Sequence, residues 1–122
     1  MHRLLGTLLA FFLIGCGPKK VAGALRMGPD GQWFVLQDEG HRPLNVERVE
    51  TDGEGRAVIH YAFRAHRVVT FVATPDETYA KAGILTGASV GLDRAVVTVG
   101  TSAKQAQIPG SNVWFYGLFE TR

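Results

Sequence analysis

The chain has 122 residues, room for one domain, and its 46% apolar content belongs to a globular protein and not to a disordered one. Removing residues 1–15 takes away only Arg3 and leaves 12 basic against 11 acidic side chains, scattered along the chain. That balance gives no support for a nucleic-acid binder, which should show a basic stripe. The single cysteine, Cys16, excludes an internal disulfide.

Met1-His2-Arg3 is short and basic, and an apolar run follows from Leu4 to Ile14, interrupted only by Gly6 and Thr7. A membrane-spanning helix needs ~20 apolar residues, so this run fits the core of a secretory signal. It ends in Leu13-Ile14-Gly15-Cys16, which resembles the lipobox of bacterial lipoproteins. The resemblance covers residues 1–16. It implies a diacylglycerol on the Cys16 thiol, cleavage before Cys16 and acylation (palmitate) of the new amine, with no other cofactor. One buried chain holds weakly and two or three hold stably, at ~0.8 kcal/mol per methylene. Residues 16–20 are then the lipidated cysteine and a flexible tether, Gly17-Pro18-Lys19-Lys20, whose lysines either sit near anionic headgroups or are simply solvated. Gly17, not Asp, follows Cys16. By the sorting rule this segment resembles, that favours the outer membrane in an organism with two.

From residue 21 to 122 the texture is β: short runs of Val, Thr, Phe, Tyr and Trp, broken by Gly, Pro, Asp and Asn. Strands are expected near Ala22–Met27, Gln32–Gln37, Leu44–Glu50, Ala57–Phe63, Val68–Thr74, Ala88–Leu92, Ala95–Gly100 and Asn112–Glu120. Gly28-Pro29-Asp30-Gly31, Asp38-Glu39-Gly40, Asp52-Gly53-Glu54-Gly55 and Pro109-Gly110-Ser111-Asn112 supply the turns. About eight strands in one all-β domain predict a small antiparallel β-sandwich or jelly roll. The clearest expected hairpin is Arg56–Thr74, with Arg64-Ala65-His66-Arg67 at its tip; both faces of its arms are apolar, which marks the central pair of a sheet. Thr74-Pro75-Asp76-Glu77 fits a capping box with Thr74 as N-cap, and Gly83 a stop, giving one short helix over Pro75–Ala82.

Few residues invite chemistry. His41, His60 and His66 lack the spacing of metal ligands and read as half-buried or surface side chains, so no metal site is assigned. Asp76 and Glu77 are explained by capping and the helix dipole. Asp52 and Glu54 sit in a turn without the rest of a calcium loop. Of the serines, Ser89, Ser102 and Ser111, only Ser89 lies in a Gly-x-Ser-x-Gly spacing, within Gly87-Ala88-Ser89-Val90-Gly91. That motif needs a strand-to-helix elbow, which the pattern does not predict here. No catalytic residue is assigned.

Val113-Trp114-Phe115-Tyr116-Gly117-Leu118-Phe119 is apolar on both faces. It reads either as a central strand covered on both sides or as one whose Trp114 and Tyr116 contact a partner, where such residues are enriched. A second resemblance rests on Ile59-His60-Tyr61-Ala62-Phe63, Thr74-Pro75-Asp76-Glu77-Thr78-Tyr79-Ala80, Gly87-Ala88-Ser89-Val90-Gly91 and Val96-Val97-Thr98-Val99. Residues 55–99 are similar to C-terminal β-sandwich domains of phage tail fibres, which implies a binding module, often trimeric, and carries over no binding residue. The expectation is a lipid-anchored envelope protein whose domain binds or assembles without catalysis. Its partners are the bilayer through Cys16 and, for the domain, a second copy or an envelope protein or glycan. The alternatives are a small serine hydrolase using Ser89 and a periplasmic ligand or metal carrier.

Overall fold

The computed structural model describes residues 17–100, 108 and 110–122. Residues 1–15, the lipobox cysteine Cys16, Ser102 and Pro109 lie outside the described residues. Among the described residues the strands are β1 (Lys19–Met27), β2 (Trp33–Val35), β3 (Val46–Thr51), β4 (Ala57–Tyr61), β5 (Arg67–Pro75), β6 (Leu85–Val90), β7 (Arg94–Gly100) and β8 (Asn112–Glu120), with one helix, α1 (Glu77–Lys81), between β5 and β6. They form two antiparallel sheets of four strands, ordered β2-β1-β8-β5 and β3-β4-β7-β6. The protein is a small all-β sandwich, and all eight expected strands are present.

Alternation with period two assigns the inner faces. Val21, Leu25, Met27, Val113, Phe115 and Phe119 of the first sheet face Ala57, Ile59, Tyr61, Ala95, Val97 and Val99 of the second, and all are buried. The sandwich is also sewn along both long edges. The Trp33 backbone N–H donates to Thr51 Oγ1 at 2.7 Å and its indole N–H to the Gly55 carbonyl at 2.9 Å, linking the β2 and β3 sides. On the other side the Thr86 hydroxyl donates to the Ala73 carbonyl at 2.7 Å. These bonds use up edge groups that would otherwise be open to another strand.

The expected Arg56–Thr74 hairpin does not form. β4 pairs with β3 and β7, whereas β5 pairs with β8 in the other sheet, so residues 62–66 cross between sheets. Alternation tells which face a side chain takes, but not which strand lies beside it. β4 is buried at every position and takes an interior place; β5 alternates between exposed and half-buried and takes an edge.

The helix also starts later than expected. Its N-cap is Asp76, not Thr74: Asp76 Oδ1 accepts from the Tyr79 N–H at 3.0 Å, while Oδ2 accepts from the Asn112 N–H at 2.7 Å. Thr74 and Pro75 are still strand, paired with Trp114 and Val113. The sheet register outcompetes the local capping signal, and Asp is as good a cap as Thr. The stop at Gly83 does form, at φ +73°, with Gly83 N–H on Ala80 O at 3.1 Å and Ile84 N–H on Tyr79 O at 3.0 Å. Replacing Asp76 with Ala should therefore cost ~2 kcal/mol or more, because a cap and a charge-assisted bond to Asn112 are lost together. Thr74→Ala should stay within ~0.5 kcal/mol of wild type. Paired urea melts check this, and equal losses would return the cap to Thr74.

The first strand begins earlier than the tether reading allowed. Lys19 and Lys20 already pair with Phe119 and Leu118, and the Thr121 hydroxyl donates to the Gly17 carbonyl at 3.0 Å. The segment after Cys16 is thus docked on the domain almost from its first residue.

Candidate functional site

The two outer faces of the sandwich differ in kind. On the second sheet Arg48, His60 and Arg94 lie in one row across β3, β4 and β7. His60 is buried among these side chains, its Nε2 2.6 Å from Glu50 Oε1. That bond holds the Glu50 carboxyl below the usual carboxylate range, against a smaller opposing effect of burial. This row is charged and internally paired.

The outer face of the first sheet has an apolar centre. Register places Val72, Tyr116 and Ala22 in one row across β5, β8 and β1, and Thr74, Trp114 and Ala24 in the next. Trp114 is 45% exposed and Tyr116 41%, beside exposed Val72 and Leu44. β8 is a central strand, as one reading of its sequence expected, but among the described residues no further layer covers its outer face.

Part of that face is shaped by a loop. The chain leaves the sheet edge at Leu36, whose N–H donates to Ala24 O at 2.9 Å, and rejoins it at Leu44, which exchanges bonds of 3.1 and 2.8 Å with Ala22. Residues 37–43 between these points fold over the sheet. Asp38 closes the loop by accepting from the Gly40 N–H at 2.9 Å and from His41 Nδ1 at 2.8 Å. The bond with His41 holds the Asp38 carboxyl below its ordinary range, ahead of the opposing effect of desolvation. The imidazole so placed stacks on Trp114, ring centroids 5.5 Å apart and planes 24° from parallel. Ala22 and Ala24 are short beside the tall Trp114, and the loop forms the facing wall, so a hollow of about 260 Å³ opens between them. Its lining is mostly apolar, with His41 and Arg42 at the polar side. Such a surface binds through shape and aromatic contact.

The other sequence candidates fall elsewhere. The three histidines are separated: His41 on the loop over the first sheet, His60 on the second sheet, and His66 in the crossing between β4 and β5. Among the described residues no three His, Cys, Asp or Glu side chains come together as a metal-ligand group. Asp52 accepts from the Glu54 N–H at 2.9 Å, the Arg56 N–H at 2.8 Å and Arg56 Nε at 2.7 Å. Burial pushes its carboxyl up, but these donors together outweigh that and leave it below its usual range. Glu77 pairs with Lys81 at 2.9 Å on the exposed helix. Ser89 lies inside β6 opposite Val96, not on a strand-to-helix elbow, and β7 separates it from the strand of His60. Ser111 is buried near the start of β8. The residue the sequence reading missed is His41 as a wall of the aromatic site. Its partner Trp114 lies far along the chain, and no local pattern links the two.

Comparison of the chain with family models, with curated proteins and with solved structures gives no match. Residues 55–99, which carry the tail-fibre resemblance, comprise β4, β5, α1, β6 and β7 and are divided between both sheets. Among the described residues no helix is long and apolar enough to cross a membrane.

Proposed function

We propose that the protein is a lipoprotein of the bacterial cell envelope whose β-sandwich is a non-catalytic binding or assembly module. Lipid on Cys16 is the anchor, and Gly17 at the next position favours the outer membrane where there are two. The outer face of the first sheet, centred on Trp114 and Tyr116, is the partner surface. The observation that carries this reading is the exposure of two large aromatics, 45% and 41%, on a central strand with Val72 and Leu44 around them. Scattered exposed apolar residues are ordinary, but a contiguous row marks an interaction site. Trp and Tyr at the middle of such a row are the residues that dominate binding energy. The chemistry of this face, apolar with a polar rim from the 37–43 loop, suits a second copy of the chain or another envelope protein.

Trp114→Ala is the test. It should lower stability by only ~1 kcal/mol, the value of a half-exposed ring with one stacking partner. Self-association in sedimentation, or recovery of a crosslinked envelope partner, should fall sharply. A large drop in melting temperature with unchanged association would make Trp114 a core residue and end the case for this face.

A further inference from the structure

We propose that the end of the sandwich next to the lipid anchor is a second, separate surface that docks on anionic phospholipid headgroups and fixes the orientation of the domain. The inference rests on the anchor at Cys16 proposed above. Only three Cα–Cα steps separate Cys16 from Lys19 in β1, ~11 Å when fully extended, and Gly17 is already bonded to Thr121. An acylated Cys16 therefore brings this end of the domain to the bilayer surface, with no slack for the domain to stand away.

What collects at that end is basic. The crossing between β4 and β5 is tied there by His66 N–H on Glu120 O at 2.7 Å, and the β6–β7 turn by Ala65 N–H on Leu92 O at 2.7 Å. Lys19, Lys20, Arg64, Arg67, Arg94 and Arg122 stand there against three side-chain carboxylates, Glu47, Asp93 and Glu120. Arg67 is taken by Glu120 and Arg94 by Asp93, at 3.2 Å for the latter. Lys20, Arg64 and Arg122 form no ion pair within 4.0 Å among the described residues. Arg64, His66 and Arg122 line a hollow of about 260 Å³ with Ala65. Beside it the Lys19 ammonium lies 5.6 Å from the centre of the Phe63 ring, and Leu92 is 37% exposed at the turn. A cationic rim with one apolar tip, Leu92, is the chemistry of a headgroup-level contact.

The far end has the opposite balance. Among the described residues Asp30, Asp52, Glu54, Asp76 and Glu77 lie in its turns, strand ends and helix against Arg26, Arg56 and Lys81. Among the described residues the charge thus runs from one end of the sandwich to the other in the sense that the anchor demands: basic toward the lipid, acidic away. Two independent observations, the short docked connection and the charge axis, point to the same orientation. Each cation held near an anionic surface strengthens the contact roughly fivefold.

The experiment uses the full lipidated chain in vesicles. A cysteine is introduced by Leu92→Cys at the basic end or Gly53→Cys at the far end and labelled with a fluorophore, the thiol of Cys16 being blocked by its lipid. Ala62→Cys, exposed at the same end as Leu92, is the second reporter should Leu92→Cys fold poorly. In phosphatidylcholine vesicles containing phosphatidylglycerol, acrylamide should quench the label at 92 several-fold less than the label at 53. Pure phosphatidylcholine, 1 M salt, or the double variant Lys20→Gln with Arg64→Gln should raise quenching at 92 toward the level at 53. Protein that floats with the vesicles but shows equal quenching at both positions would overturn the docking and leave the anchor standing. Protection that persists in pure phosphatidylcholine would overturn the anionic contact. Wild-type protein that does not float would overturn the anchor, and the docking with it.

Discussion

Cys16→Ser should leave the protein unlipidated, uncleaved and without its acyl anchor. The cysteine is the only thiol in the chain. It also stands where the segment that resembles a lipobox places the acyl acceptor. A serine hydroxyl is far less nucleophilic than a thiolate, so the diacylglycerol is not transferred and the cleavage that follows it does not occur. The expected loss is complete, because stable anchoring takes two or more acyl chains and a single weak contact does not replace them. Metabolic labelling with a palmitate analogue, followed by fractionation, reads both steps. Label persisting in the Cys16→Ser protein, or unchanged sedimentation with membranes after cleavage, would remove the lipoprotein reading.

The second large effect is expected in the core. Phe119 is fully buried, with the Tyr61 ring 4.7 Å and the Phe63 ring 5.7 Å from its own. It ties the end of β8 to the end of β4, across the two sheets, at the point where the chain crosses between them. Truncation to alanine removes the ring and leaves a cavity that strands on both sides are hydrogen-bonded too firmly to close. The cost should be ~3–5 kcal/mol, a fall in melting temperature of roughly 12 °C or more for a domain of this size. Gly117, two residues earlier on the same face, shows how closely the ring is held: a Cβ there would lie 2.6 Å from Phe119 Cε2 and 2.7 Å from Phe71 Cδ2. Gly117→Ala should thus also destabilise, by overpacking. Urea melts with unchanged m-values would tie both losses to the native state. Phe119→Ala melting within a few degrees of wild type would show that this aromatic cluster does not hold the sheets together. The contrast with Trp114→Ala on the same strand, one face buried and one open, is the sharpest single test of the register of β8.

Much of this was legible in the amino-acid sequence because it depends on neighbours. The eight strands follow from short β-branched and aromatic runs and from turns whose Gly, Pro, Asp and Asn are needed locally. The Gly83 stop is local for the same reason, since only a glycine tolerates the left-handed conformation there without cost. Trp114 and Tyr116 share a face by strand periodicity alone. What the sequence left open were the relations between distant segments. Alternation left Arg56–Thr74 free to close as a hairpin. Only the full set of pairings shows β4 buried between β3 and β7 and β5 sent to the edge beside β8. Thr74 carried a sound capping signal, but the register with Trp114 keeps it in the strand and passes the cap to Asp76. Lys19 and Lys20 read as a tether until Phe119 and Leu118 paired with them. Whether Trp114 was core or surface turned on what lies over the first sheet. The answer, a loop closed by Asp38 that lays His41 on one edge of the indole and leaves the rest open, is a contact between segments far apart in the chain. Turn and periodicity signals act over a few residues and are written in sequence; strand partners and the covering of a face are decided by the lowest free energy of the whole packed chain, which no short window of sequence contains.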